Sequence, residues 1–142
     1  MLTLAHQVKY ILIADDEPTL LFFLQQDLQQ ADFACQVHTA NTGDEALQHL
    51  RQRRYDLLVS DLRMPGLNGL QLIEAARALH PHICTILMTA YGSTELQAEA
   101  NRLRVDGYLS KPFSTATLKD MAVNILLRPG AASQTSVETT HP

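Results

Sequence analysis

Short apolar runs alternate with longer segments of helical period five times along this chain, and that alternation restricts the fold more than any other feature. The runs are "YILIA" (10–14), "ACQVHTA" (34–40), "YDLLVSD" (55–61), "CTILMTA" (84–90) and a short one around "GYLS" (107–110). The first is too uniformly apolar for a strand with one wet face and suits a strand covered on both sides. Residues 19–31 form the first predicted helix, with Pro18 in its first turn, where a missing N–H costs nothing. Leu20, Leu21, Leu24 and Leu28 mark its inner stripe. Phe22 and Phe23 are expected to widen that stripe into the core, with a contact surface as the other reading. Thr42-Gly43-Asp44-Glu45 has capping-box spacing and opens a second helix that carries Ala46, Leu47 and Leu50 inward. That helix ends at the basic run 51–54, read as a solvated terminus suited to the negative helix end. Residues 70–80 form a third helix (Leu72, Ile73, Ala76 and Leu79 inward), and 94–104 a weaker fourth (Leu96, Ala100 and Leu103). In the last, 115–128, Leu118, Met121, Ala122 and Ile125 repeat at three and four.

Five strand–helix units with right-handed crossovers imply an α/β fold, a (βα)5 doubly wound open sandwich around a five-stranded parallel sheet. A chain of 142 residues, 46% apolar, suffices for one such core and is short for two domains. A net charge of -4 disfavours direct nucleic-acid binding, which needs a concentrated basic patch. No stretch reaches about 18 uncharged apolar residues, so membrane insertion is not expected. The start "MLTLAHQVKY" lacks the pattern of a signal peptide, and Cys35 and Cys84 read as small buried thiols in a reducing compartment, so a cytoplasmic location is expected. The expected organisation is an N-terminal extension (1–8), one domain (9–128) and a disordered tail or linker start (129–142) in which Val137 is the one sizeable apolar residue.

In an open parallel sheet the working edge lies at the C-terminal ends of the strands. Asp15 and Asp16 follow the first run, Asp61 ends the third, Thr89 closes the fourth and Lys111 follows the fifth. Three carboxylates crowded on one rim repel one another, and a divalent cation relieves that repulsion. Oxygen-only ligands without His or Cys indicate a hard ion, Mg²⁺ with Mn²⁺ as a substitute. Lys111 is a point charge suited to a phosphoryl oxygen or a carboxylate, Thr89 offers a hydroxyl donor, and Asp61 could act as a nucleophile that becomes an acyl phosphate. Each residue alone has a plainer reading, since Asp15 and Asp16 could simply cap the first helix. The six histidines are scattered without metal spacing, and no Gly-rich phosphate loop is present.

Four motifs, "DDE" (15–17), "DLRMPGLNG" (61–69), "MTAYG" (88–92) and "GYLSKPF" (107–113), together resemble the receiver domain of bacterial two-component response regulators over about residues 9–128. The resemblance implies a flavodoxin-like fold and a phosphorylation-dependent switch. By it, Asp61 is the phosphoacceptor, served by a sensor histidine kinase or a histidine phosphotransfer protein. Asp16 and Asp61 would bind Mg²⁺ by carboxylates, Arg63 by its backbone carbonyl, and Asp15 would assist. Lys111 would contact the phosphoryl group, with a cis bond to Pro112. Thr89 is the switch hydroxyl and Tyr108 the aromatic that turns inward when Thr89 moves, changing the face formed by the fourth helix, fifth strand and fifth helix. The plain reading of Tyr108 is a half-buried ring with its hydroxyl in water.

Two departures from the family pattern stand out: Arg104 occupies a position that is usually glycine, and the fourth helix is weakly amphipathic. Arg63 and Tyr91, two positions beyond Asp61 and Thr89, are expected to shield the aspartyl phosphate and slow its loss. The module takes part in its own phosphorylation and dephosphorylation but acts chiefly as a switch, in line with an output domain, a downstream protein or a homodimer as its readout. The alternatives are a receiver-like binding scaffold that is never phosphorylated and a Mg²⁺-dependent phosphohydrolase. The latter is disfavoured by the absence of a paired D-x-D after the first strand.

Overall fold

The computed structural model describes residues 7–90 and 94–128. The expected tail, nearly all of the N-terminal extension, and Tyr91 lie outside the described residues. Five strand–helix units follow in order: β1 (Lys9–Ala14), α1 (Pro18–Leu28), β2 (Cys35–Ala40), α2 (Gly43–Gln52), β3 (Leu57–Asp61), α3 (Gly69–Leu79), β4 (Cys84–Thr89), α4 (Thr94–Arg102), β5 (Gly107–Ser110) and α5 (Thr115–Leu126). The strands pair in the order β2-β1-β3-β4-β5, and every pair is parallel. This is the doubly wound sheet expected from the alternation of runs.

Period-two alternation within each strand divides the core between the two faces of the sheet. Ile11 and Ile13 join Leu57, Val59, Ile86 and Met88 beneath α1 and α5, where Leu24, Leu28, Leu118 and Ala122 cover them. Leu12 and Ala14 join Leu58 and Leu87 on the opposite face, under Ala46, Leu50, Leu72, Ile73 and Ala76 of α2 and α3. Helix ends are set by local chemistry. The Thr42 hydroxyl accepts from the Glu45 N–H at 3.0 Å, while the Glu45 carboxylate reaches one residue beyond a capping box, to the Asn41 N–H at 2.7 Å. Asn68 and Gln71 complete a full capping box at the start of α3, which begins at Gly69, one residue before the expected start.

Several expectations need correction. Phe22 and Phe23 are not core residues: each is 54% exposed, and their rings meet edge to face on the outside of α1. The buried stripe is Leu21, Leu24 and Leu28, and at 100° per residue the two phenylalanines fall outside it. α1 ends at Leu28, short of Ala31, and Leu79, the last residue of α3, is exposed. β3 begins at Leu57, two residues later than expected, and the Asp56 carboxylate just before it accepts from the Tyr10 N–H at 2.8 Å. The cysteines are free and only half-buried, and they begin β2 and β4, strands separated by two others. Burial, aided by Asp106, pushes the Cys84 thiol up to about 11. The basic run 51–54 is exposed as expected, with the Arg53 guanidinium 4.1 Å above the Tyr10 ring.

Candidate functional site

Parallel pairing places the ends of β1, β3, β4 and β5 side by side, and the chemically capable residues meet there. Asp61 is opposite Met88, and Thr89 is opposite Ser110. Asp15, Asp16 and Asp61 each bring a carboxylate oxygen into a group whose atoms lie within 4.8 Å of one another. Their environments differ. Asp15 is fully buried, Asp61 is 7% exposed, and Asp16 faces solvent.

Asp15 uses both oxygens: one accepts from the Glu17 N–H at 2.9 Å and the other from the Lys111 ammonium at 2.8 Å. Lys111 also lies 3.4 Å from Asp61, so a single cation links the ends of β1 and β3. Its own position follows from β5, since the Lys111 N–H donates to the Thr89 carbonyl at 2.8 Å and the Lys111–Pro112 bond is cis. Burial and the neighbouring Asp15 raise the Asp61 carboxyl above the usual carboxylate range, with Asp16 adding to them and Lys111 pulling the other way. Burial pulls the Lys111 ammonium down, but Asp15 and Asp61 outweigh it and hold the group above the ordinary lysine range.

The loop after Asp61 closes on itself. Gly69 donates its N–H to the Leu62 carbonyl at 2.8 Å, and a Cβ at Gly69 would collide with the Asp61 carbonyl. Asp16, Arg63, Met64, Pro65 and Asn68 line the groove beside the carboxylates. Thr89 is buried at the end of β4. Tyr108 lies on the neighbouring strand opposite Leu87, two positions before Ser110, so it shares a sheet face with Thr89. The Tyr108 hydroxyl is buried and has no hydrogen-bond partner among the described residues, which replaces the plain expectation of a hydroxyl in water.

The residues from 11 to 123 match the family described as the response regulator receiver domain. The chain belongs to this family. Among curated relatives it is 33% identical over 129 residues to the transcriptional regulatory protein PrrA of Mycobacterium leprae, covering 91% of this chain and 54% of that protein. It therefore spans about half the length of that relative. A CheY-like receiver domain protein from Methanospirillum hungatei superposes with a TM-score of 0.79 at 28% identity, covering 84% of this chain and 94% of the other. A response regulator from Burkholderia pseudomallei, solved with a phosphorylated aspartic acid, calcium ion and citrate, superposes with a TM-score of 0.72 at 26% identity, covering 87% of this chain and 68% of that one. A receiver domain is a phosphorylation-dependent switch of two-component signalling, and the acidic pocket is the place where such domains bind a divalent cation. No helix among the described residues is long and apolar enough to cross a membrane.

Most expected site residues thus converge on one rim. Sequence reading did not register the capping role of Asn68 or the close packing of Gly69 on the Asp61 carbonyl. Each is legible only through what it touches.

Proposed function

We propose that Asp61 is the phosphoacceptor of this receiver domain. The observation that carries this reading is its position: nearly buried, in contact with the Lys111 ammonium and crowded by two further carboxylates. A carboxylate oxygen of Asp61 attacks the phosphorus of a phosphohistidine on a sensor histidine kinase or histidine phosphotransfer protein. The P–O bond forms as the P–N bond breaks, and the imidazole leaves and takes up a proton. Lys111 sits where it neutralises charge on the incoming phosphoryl oxygens, and Asp15 orients Lys111 by their 2.8 Å bond. Asp15, Asp16 and Asp61, with the Arg63 carbonyl, would hold Mg²⁺, or Mn²⁺ in its place. The ion supplies the positive charge that lets an acidic cluster accept another anion.

Thr89 then turns to the phosphoryl group, and Tyr108 packs into the space beside it, altering the face of α4, β5 and α5. That face would serve an output domain, a downstream protein or a second copy of the chain, in the cytoplasm. Residues 9–128 form the receiver unit. Arg63, exposed beside the groove, shields the acyl phosphate from water and prolongs its life; a phosphate half-life of seconds contradicts this.

Incubation with acetyl phosphate and Mg²⁺ followed by intact-mass measurement tests the acceptor assignment. One phosphoryl group is gained by the native chain and none by Asp61→Asn. No gain on a folded native chain favours the scaffold reading, and steady turnover of small phosphoesters favours a phosphohydrolase.

A further inference from the structure

The histidines have no metal spacing along the chain, yet the fold brings two of them together. His38 stands on β2, and His49 on α2, which packs against the same face of the sheet; their ring centroids lie 6.2 Å apart. Glu45 lies one helical turn before His49. Its Oε1 accepts from the Asn41 N–H at 2.7 Å, and its Oε2 is 4.0 Å from His49 Nε2. Glu45 and His49 each precede a buried residue of α2, Ala46 and Leu50, so they run along the edge of the helix's inner stripe.

The His38 ring is held from behind. Its Nδ1 is 2.6 Å from the hydroxyl of Tyr55, a residue only 1% exposed, and the two rings meet edge to face. With Nδ1–H donating to the phenolic oxygen, Nε2 keeps its lone pair. Histidines that ligate metals are fixed in this way, through a partner on the other ring nitrogen. Burial, with the nearby Arg53 and His49, lowers the His38 pKa, so the ring is neutral at pH 7, the form that a metal requires. Donors sharing a tetrahedral ion at ~2.0–2.1 Å lie about 3.3 Å apart, and the centroids of two such imidazoles about 5 Å apart. The group therefore has to close by about 1 Å. Side-chain rotation of His49 and Glu45, 32% and 47% exposed, supplies that movement.

We propose that His38, His49 and Glu45 form a second metal site, for a divalent transition ion of the zinc class, which fastens α2 to the edge strand β2. Two imidazoles and one carboxylate suit such an ion, with water in the fourth position, whereas the oxygen-only acidic pocket suits Mg²⁺. The two places are separate: His38 pairs with Leu12 and Leu12 with Leu58, so β1 stands between this group and the strand that carries Asp61. Arg53, whose guanidinium lies over the Tyr10 ring, opposes a dication and tempers the affinity. The site does not depend on Asp61 being the phosphoacceptor.

Calorimetric titration of the full chain with Zn²⁺ at pH 7, in excess Mg²⁺ to fill the acidic pocket, tests this. The native chain binds Zn²⁺, and its thermal midpoint rises with the ion and falls back with EDTA. His38→Gln, His49→Gln and Glu45→Gln each weaken binding by about tenfold or more, while His82→Gln binds as the native chain does. Co²⁺ in place of Zn²⁺ gives the visible absorption of a tetrahedral site in the native chain and not in His49→Gln. If His38→Gln unfolds the chain, His49→Gln and Glu45→Gln carry the test, since both side chains lie partly in solvent. A native chain that binds no Zn²⁺ overturns the proposal. Undiminished binding in any of the folded variants at His38, His49 or Glu45 overturns this ligand set, because the ion is then held elsewhere.

Discussion

Replacing Asp61 by asparagine removes a charge while keeping the side chain's shape, and the pocket predicts that the fold becomes more stable at neutral pH. At an effective dielectric of about 20, a carboxylate 4.8 Å away, the outer limit of the cluster, repels Asp61 by about 3.5 kcal/mol. The Lys111 ammonium at 3.4 Å attracts it by about 5 kcal/mol. Exposed Asp16 adds a screened repulsion of about 1 kcal/mol, so the pair terms nearly cancel. What remains is the burial of a carboxylate that is 7% exposed, and this is the leading cause of its raised pKa. A net gain of about 1–2 kcal/mol for Asp61→Asn follows at pH 7 without divalent cation.

The sign with pH follows from the same shift. A folded-state pKa above the unfolded one means that the native protein binds more protons in between, so the ionised aspartate destabilises the fold as pH rises through that window. Urea unfolding in EDTA at pH 7 should therefore favour Asp61→Asn, and the advantage should close at about pH 3, where both states are protonated. Mg²⁺ at ten times its Kd should stabilise the native chain by about 1.4 kcal/mol, and the variant by less. An Asp61→Asn protein no more stable than the native one at pH 7, or one whose advantage persists unchanged at pH 3, refutes the reasoning.

Lys111→Met leaves the fully buried Asp15 without its cation and should cost about 3–5 kcal/mol in urea unfolding at pH 7, part of which Asp15→Asn restores in the double variant. Because the Lys111 pKa is raised, its contribution is full below the ordinary lysine range and should fade as pH climbs through the folded value above it. Tyr108→Phe removes a buried hydroxyl with no partner among the described residues, and the thermal midpoint should rise by an amount matching about 1 kcal/mol. Arg104→Gly relieves a left-handed backbone and should stabilise by about 0.5–1 kcal/mol; a loss in chemical denaturation would contradict the strain.

The sheet and its helices were legible because patterning and periodicity are local properties. Runs such as "YILIA" state double-sided burial in their own composition, and Leu118, Met121, Ala122 and Ile125 state a single stripe. Asp15, Asp16, Asp61, Thr89 and Lys111 were legible as a group because a parallel sheet brings all strand ends to one rim. Phe22 and Phe23 misled because hydrophobicity alone does not say which side of a leucine-rich helix faces the sheet. Arg77 left no signal at all. It reads as a helix-terminal arginine until the fold brings Leu103, Arg104 and Thr85 within its reach.

Sequence by itself therefore determined the order of elements, the double-sided burial of the sheet and the inventory of acids at its working edge, since each depends on neighbours a few positions apart. Tertiary structure alone decided which carboxylate is buried, which pairs with Lys111 and which stays in water. It also decided that Arg104 takes a left-handed turn held by a residue 27 positions away. Burial and ion pairing are properties of places that the chain reaches only after folding, and there the energy of a charge depends on groups far from it in sequence.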